Sequence, residues 1–239
     1  MEADMKVDVS GSTMPIRLMQ PDGATSPSPG LILCHHREGV DEFTVDAGRR
    51  LAAGGFVVAI PNMYHRRPAE ETWEKSRKTM SDTNVVADLR ATADLLARQP
   101  SVRADALGIV GHCMGGRSAF LGAAVMPQMK AAVVLYGGGI FKTEGEGMPA
   151  PITLIRDIQA PILGLYGDHD HVVPLDEIDR LIVALKEHHI QHDFHVYQDA
   201  GHAFQDYSRP KMYLRDTSED AWRRMFEFLK MTLRDRDTH

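Results

Sequence analysis

From residue 30 onward, short apolar runs alternate with amphipathic segments. "GLILCHH" (30–36) reads as a buried strand, and "VDEFTVDAGRRLAAGG" (40–55) keeps helical periodicity until two glycines stop it. "FVVAIPNMY" (56–64) is the next strand, ended by Pro61. In "DTNVVADLRATADLLARQ" (82–99), Val85, Val86, Leu89, Ala93 and Leu96 return near one helical face, with Asp82 suited to the N-cap. "ALGIVGH" (106–112) is a strand, and a helix follows from about Gly115. "AAVVLYGG" (131–138) and "PILGLYGD" (161–168) are apolar on both faces, as strands inside a parallel sheet are. "LDEIDRLIVALKEHH" (175–189) then reads as a helix and "DFHVYQDA" (193–200) as a strand. "SEDAWRRMFEFLKMTLR" (218–234) closes the series, with Ser218, Glu219 and Asp220 matching a positive helix N-terminus. The Pro/Ser/Gly cluster "PDGATSPSPG" (21–30) is a turn or loop between strands.

This alternation predicts an α/β fold, a mostly parallel central sheet with helices on both faces, in one domain over 1–239. Sheets of this kind bind ligands beyond the C-terminal ends of their strands. Residues just after the predicted strands are therefore the first place to look for chemistry.

Composition narrows the partners. With 239 residues, 43% apolar and 25% charged, the chain has material for a sizeable core. A net charge of −6 with mixed signs gives no electrostatic footprint for nucleic acid or an anionic membrane surface. No apolar run is long enough to span a bilayer, and "MEADMKVDVSGS" lacks the basic-then-apolar order of a signal peptide. Cys34 and Cys113 are too few for a disulfide framework. A soluble cytoplasmic protein with reduced thiols is expected.

Three strand-end stretches carry candidate chemistry. The first is "GHCMGG" (111–116), where Cys113 has Gly111 two positions before it and Gly115 two after. A nucleophile presented on a strand-to-helix turn needs small residues at those two positions, because backbone passes close there. The helix that begins here aims its positive end at the sulfur, and its first N–H groups are placed to bind a developing oxyanion. The plainer reading is a small buried cysteine between glycines. The second stretch is "YGDHDHVVP" (166–174), in which Asp168 and Asp170 are both carboxylates able to orient a histidine. The third is "AGHAF" (200–204), with His202 in a loop. Nucleophile, acid, histidine is the chain order of α/β-hydrolases, and three strand-end residues in that order favour the triad.

The remaining histidines offer no metal signature. His169 and His171 flank Asp170, His35 and His36 are adjacent, and His188, His189, His192 and His195 cluster near a helix end, but none forms a known ligand spacing. No metal or cofactor is expected. Arg37, Arg66, Arg67, Arg77 and Arg117 are candidates for an anionic substrate group, most of them as surface charges.

With these residues in place, the sequence resembles the dienelactone hydrolase family of α/β-hydrolases over about residues 28–230. The resemblance rests on "GHCMGG", "DHDHVVP", "AGHAF", "HHREGVDEF" and "AIPNMYHRR". It implies a cysteine hydrolase of small esters or lactones with a Cys113, Asp170 and His202 triad acting through an acyl-enzyme. Asp170 is favoured over Asp168 because Asp170-His171-Val172-Val173-Pro174 meets the family's Asp-His-x-Val-Pro pattern. The same resemblance assigns the oxyanion hole to the backbone N–H groups of Met114 and Arg37. Two positions differ from the family. His36 stands where its lactone hydrolases carry a glutamate that helps activate the cysteine, with Glu38 nearby. Asp206 stands where they carry a carboxylate-binding arginine, with Arg209 three residues later. His36 is an auxiliary candidate, as a second base or a partner of the thiol. A non-catalytic scaffold that binds a small ligand or senses oxidants through Cys113 is the alternative function.

Overall fold

The computed structural model describes residues 1–68, 70–78 and 80–233, with 76–78 described by backbone alone. Eight strands form one sheet: β1 (Glu2–Val9), β2 (Ser12–Met19), β3 (Ser28–Cys34), β4 (Val57–Pro61), β5 (Val102–His112), β6 (Met129–Leu135), β7 (Ile162–Gly167) and β8 (His192–Tyr197). Their spatial order is β1-β2-β4-β3-β5-β6-β7-β8. From β4 across to β8 every neighbouring pair is parallel, with β3 lying between β4 and β5. The hairpin β1–β2 is added at the β4 edge through antiparallel pairs, β1 with β2 and β2 with β4, so that β2 alone among the eight runs against the others. That hairpin is absent from the pattern of buried runs because its strands alternate exposed and buried positions, and β1 is largely exposed.

Helices α1 (Glu42–Ala53), α2 (Trp73–Lys78), α3 (Asp82–Ala97), α4 (Met114–Val125), α5 (Leu175–Glu187) and α6 (Arg215–Thr232) fill the connections, with a 3-10 segment over Pro151–Asp157. The short α2 and the 3-10 segment carry too few turns for periodicity to reveal them. Ser81, not Asp82, caps α3, its Oγ accepting from the Asn84 N–H at 3.3 Å. Asp82 is instead drawn fully inside to meet Arg117. The closing helix starts three residues earlier than its acidic cluster suggests, so Ser218 lies inside the first turn and is buried. Residue 234, the end of that expected helix, lies outside the described residues.

The layout decides where side chains converge. Strands β3, β5, β6, β7 and β8 are apolar and buried over most of their length apart from the half-covered edge strand β8. Their C-terminal ends share one rim of the sheet, and β5 lies near its middle. Helix α4 follows β5 directly and is buried along its whole length from Met114 to Ala124. Gly122 allows this close approach, since a Cβ there would stand 2.6 Å from Ile109 Cδ1. Among the described residues no helix is long and apolar enough to cross a membrane.

Candidate active site

Cys113 sits between β5 and α4 with φ 55° and ψ −118°, a conformation that L-residues rarely adopt. Such a turn swings the side chain out of the sheet plane at the strand end. It also forces backbone together around the cysteine, and the flanking glycines permit it. A Cβ on Gly111 would lie 1.9 Å from Gly115 O, and one on Gly115 would lie 2.1 Å from Cys34 O. Both glycines are therefore required by contact, as their spacing predicts. The sharp turn is held by the Cys113 N–H, which donates to Leu135 O at 2.9 Å across β5 and β6.

His202 reaches the cysteine from the loop after β8. Its Nε2 stands 3.0 Å from Cys113 Sγ, and its Nδ1 stands 2.8 Å from Asp170 Oδ2. Asp170 comes from the loop after β7. Its other oxygen accepts the N–H groups of Val172 at 2.7 Å and Val173 at 3.0 Å, which fixes the carboxylate. Asp168, the other carboxylate in this stretch, faces His169 Nδ1 at 3.1 Å and takes no part in the chain. Cys113 is half-buried while Asp170 and His202 are buried. Burial opposes a charge on His202, yet its hydrogen bonds to Asp170 and Cys113 overcome that and raise its pKa to about 9. The ring also packs edge-on against Tyr136, with centroids 5.1 Å apart, and against His171 at 6.3 Å.

The second wall is the loop after β3, residues 35–41. It lies against the elbow, because a Cβ on Gly115 would also stand 2.7 Å from His35 O. Tyr64 Oη donates to Arg37 O at 2.7 Å and is 3.4 Å from Met114 Sδ, so one hydroxyl joins this loop to the first residue of α4. His36 does not reach the thiol. Its Nδ1 lies 3.1 Å from Glu38 Oε2 and its Nε2 lies 2.8 Å from Asp41 Oδ2, so both ring nitrogens face carboxylates of its own loop. Glu38 also accepts from Arg37 Nε at 2.9 Å and pairs with Arg209, which in turn holds Asp206 at 2.8 Å. The arginine that lies three residues beyond Asp206 thus folds back to join the His202 loop to the β3 loop. Burial works against the Glu38 charge, but these arginines hold its carboxyl below the usual range.

The other expected anion-binding arginines separate clearly. Arg117 is buried and forms a two-pronged pair with Asp82, so it is a core residue and not a surface charge. Arg66 is committed to Asp88 at 2.8 Å. Arg37 stacks over Trp73 at 4.7 Å and Arg67 over Tyr64 at 5.4 Å, beside a cavity of about 360 Å³ that Tyr64, Arg67 and Trp73 help to line. The side chain of Arg77 lies outside what is described. Among the described residues, no three His, Cys, Asp or Glu side chains are grouped to hold a metal ion. Arg209 borders the site, as do two residues that do not stand out in the sequence, Tyr64 and Tyr136. Only the "AIPNMYHRR" stretch pointed near one of them.

The parallel sheet, the cysteine turn after its middle strand, and the acid and histidine that follow later strands define an α/β-hydrolase. The dienelactone hydrolase family model matches residues 14–233, and the chain belongs to that family. Relatives bearing the name carboxymethylenebutenolidase include one from Yersinia pestis, 34% identical over 229 residues that cover 91% of this chain and 84% of that protein. Another, from Escherichia coli (strain K12), is 34% identical over 227 residues, covering 92% and 83%. A crystal structure from Klebsiella pneumoniae subsp. pneumoniae MGH 78578, named as a dienelactone hydrolase, superposes with a TM-score of 0.86 at 32% identity, covering 96% of this chain and 98% of that one. The fold alone is shared with a dienelactone hydrolase-like promiscuous phosphotriesterase from metagenomic libraries, at a TM-score of 0.84 and 17% identity over 97% and 98% of the two chains. The protein is a dienelactone hydrolase-like hydrolase.

Proposed function

We propose that this protein hydrolyses a small ester or lactone through a thioester formed on Cys113. The observation that carries the reading is the continuous chain from Cys113 Sγ through both nitrogens of His202 to Asp170. The lactone half of the substrate class follows the name carried by the relatives.

In this mechanism His202 Nε2 takes the thiol proton and the sulfur attacks the carbonyl carbon, pushing the C=O π electrons onto oxygen. The N–H groups of Met114 and Arg37 receive that oxyanion, each such donor contributing roughly 3 kcal/mol in enzymes of this type. Collapse of the tetrahedral species expels the alkoxide, which takes the proton from His202. In a lactone the alkoxide stays attached and the ring opens. Water then attacks the thioester carbon, gives a proton to His202, and the second collapse releases the acid and restores the thiol. Asp170 keeps the His202 Nδ1 proton in place and stabilises the cation formed twice in the cycle. His36 has no ring nitrogen turned to the thiol, so it serves the loop and no proton step is assigned to it.

The test compares Cys113→Ala, Cys113→Ser and the parent on p-nitrophenyl acetate and a small unsubstituted lactone. Loss of turnover in Cys113→Ala, with an acetyl adduct on the parent seen by intact mass after rapid quench, is expected. Unchanged turnover in Cys113→Ala overturns the reading. Peroxide-sensitive Cys113 without any ester or lactone turnover in the parent would favour the oxidant-sensing scaffold instead.

A further inference from the structure

Arg37 N–H is useful as an oxyanion donor only if its peptide is held still, and the structure shows what holds it. The N–H of Arg37 and the C=O of His36 belong to one planar trans peptide and point in opposite directions. Whatever fixes that carbonyl therefore fixes the donor. Two groups reach it: His35 Nδ1 at 2.7 Å and the Gly39 N–H at 3.1 Å. His35 is wholly buried, and its other nitrogen, Nε2, receives the Met63 N–H at 3.1 Å. A nitrogen that accepts carries no proton, so the neutral ring holds its proton on Nδ1 and donates it to the carbonyl of His36. The tautomer is settled by Met63, a residue just beyond β4 in the neighbouring strand connection.

The next peptide along is held from outside. Tyr64 Oη donates to Arg37 O at 2.7 Å and touches Met114 Sδ at 3.4 Å, and its ring packs on His35 with centroids 5.0 Å apart. The same pair of side chains thus grips the carbonyls on both sides of Arg37 and ties them to the first turn of α4. A donor fed into the His36 carbonyl also polarises that peptide, which makes the Arg37 N–H a stronger donor.

We propose that His35 and Tyr64 are positioning residues of the oxyanion hole, holding the backbone on both sides of Arg37 so that its N–H meets the oxygen of the acyl group on Cys113. This rests on the cysteine-hydrolase reading above. Neither side chain touches the reacting atoms, and neither exchanges a proton in the cycle.

The experiment uses the full chain with Tyr64→Phe, His35→Asn and His35→Leu. Each is assayed for kcat and KM on p-nitrophenyl acetate and for the rate at which iodoacetamide alkylates Cys113. Alkylation uses the same sulfur and histidine but builds no oxyanion, so it separates the hole from the nucleophile. Tyr64→Phe is expected to lower kcat about tenfold and His35→Leu about a hundredfold, with KM and alkylation rate held within about twofold. His35→Asn, which keeps a donor near the Nδ1 position, recovers part of the His35→Leu loss. Wild-type kcat in Tyr64→Phe overturns the proposal, as does a fall in alkylation that matches the fall in kcat. If His35→Leu does not fold, Tyr64→Phe decides, since removing one hydroxyl leaves its ring packing in place. An active Cys113→Ala would sink the cysteine-nucleophile reading on which this proposal rests, whereas an inactive Cys113→Ala beside an unaffected Tyr64→Phe sinks only the positioning role.

Discussion

Asp170 and His202 meet across the ends of adjacent strands β7 and β8, with Oδ2 of one 2.8 Å from Nδ1 of the other. The carboxylate cannot turn away, because Val172 and Val173 hold its second oxygen by their N–H groups. This fixed acceptor, with Cys113 on the far nitrogen, outweighs burial and lifts His202 to about 9. Asp170→Asn removes the charge and keeps the shape. The titration midpoint of His202, followed by NMR of its ring protons, is expected to fall toward about 6.5. The kcat on p-nitrophenyl acetate should drop by about 10³–10⁴-fold. A midpoint that stays near 9 in the variant would show that Asp170 does not set the proton affinity of His202.

Two other buried histidines make the fold sensitive to acid. His35 and His112 are both held at about 4, burial being the main cause, against an ordinary value near 6.5. Each is neutral in the folded protein, with His112 Nε2 hydrogen-bonded to Gln205 Oε1 at 3.1 Å. The unfolded chain binds protons at these residues as pH drops below about 6.5, while the folded chain resists until about 4. Their contribution to stability is therefore complete above that window and is lost as pH falls through it, by up to about 1.4 kcal/mol per pH unit for each histidine. Urea unfolding at pH 7, 6, 5 and 4 should show a steepening loss, and His112→Gln should flatten it. An equal slope in parent and variant would remove His112 from the account.

Much of the layout of this candidate site is legible in the chain itself. Cys113, Asp170 and His202 each follow an apolar run, and strand ends are visible because buried parallel strands are apolar without interruption. The Gly111 and Gly115 spacing exposed the close turn, since only glycine tolerates backbone at that distance. What stayed hidden depends on contacts between distant segments. The pairing of Arg209 with Glu38 spans two loops, and that of Arg117 with Asp82 joins two helices. No local pattern encodes them. The surroundings of His36 are hidden for the same reason: its place in the loop after β3 is readable, but the carboxylates of Glu38 and Asp41 that claim its ring depend on how the loop folds back. The β1–β2 hairpin escaped because alternation over an exposed edge is a weak signal beside the buried runs.

Gly115 gives a direct test of the elbow. A methyl group there would meet Cys34 O at 2.1 Å and His35 O at 2.7 Å, and both are backbone atoms that cannot rotate aside. The β3 loop must move outward to admit it, carrying Arg37 with it. Gly115→Ala is expected to cost about 3 kcal/mol in urea unfolding, at the upper end for overpacking, and to lower kcat more than it raises KM. Stability within about 0.5 kcal/mol of the parent would mean that the two segments are not in contact in solution.

Arg117 was an anion-binding candidate, and its burial turns it into a prediction about stability. Both prongs of its guanidinium face Asp82, Nε donates to Gly139 O at 3.0 Å, and one terminal nitrogen donates to Lys142 O at 2.6 Å. Asp82 is equally enclosed, with the Glu144 N–H donating to it at 3.2 Å. Removing Arg117 leaves the Asp82 charge buried without its counterpart, and removing Asp82 leaves Arg117 facing Glu144 Oε1 alone at 3.7 Å among the carboxylates described, each loss costing about 3–5 kcal/mol, whereas removing both takes the buried pair away together. Arg117→Met and Asp82→Leu should each destabilise by about that amount in urea unfolding, and the double variant by less than the sum of the two. Stability equal to the parent in Arg117→Met would show that the pair is not formed. So would additive losses in the double variant, because two charges that do not meet have nothing to relieve.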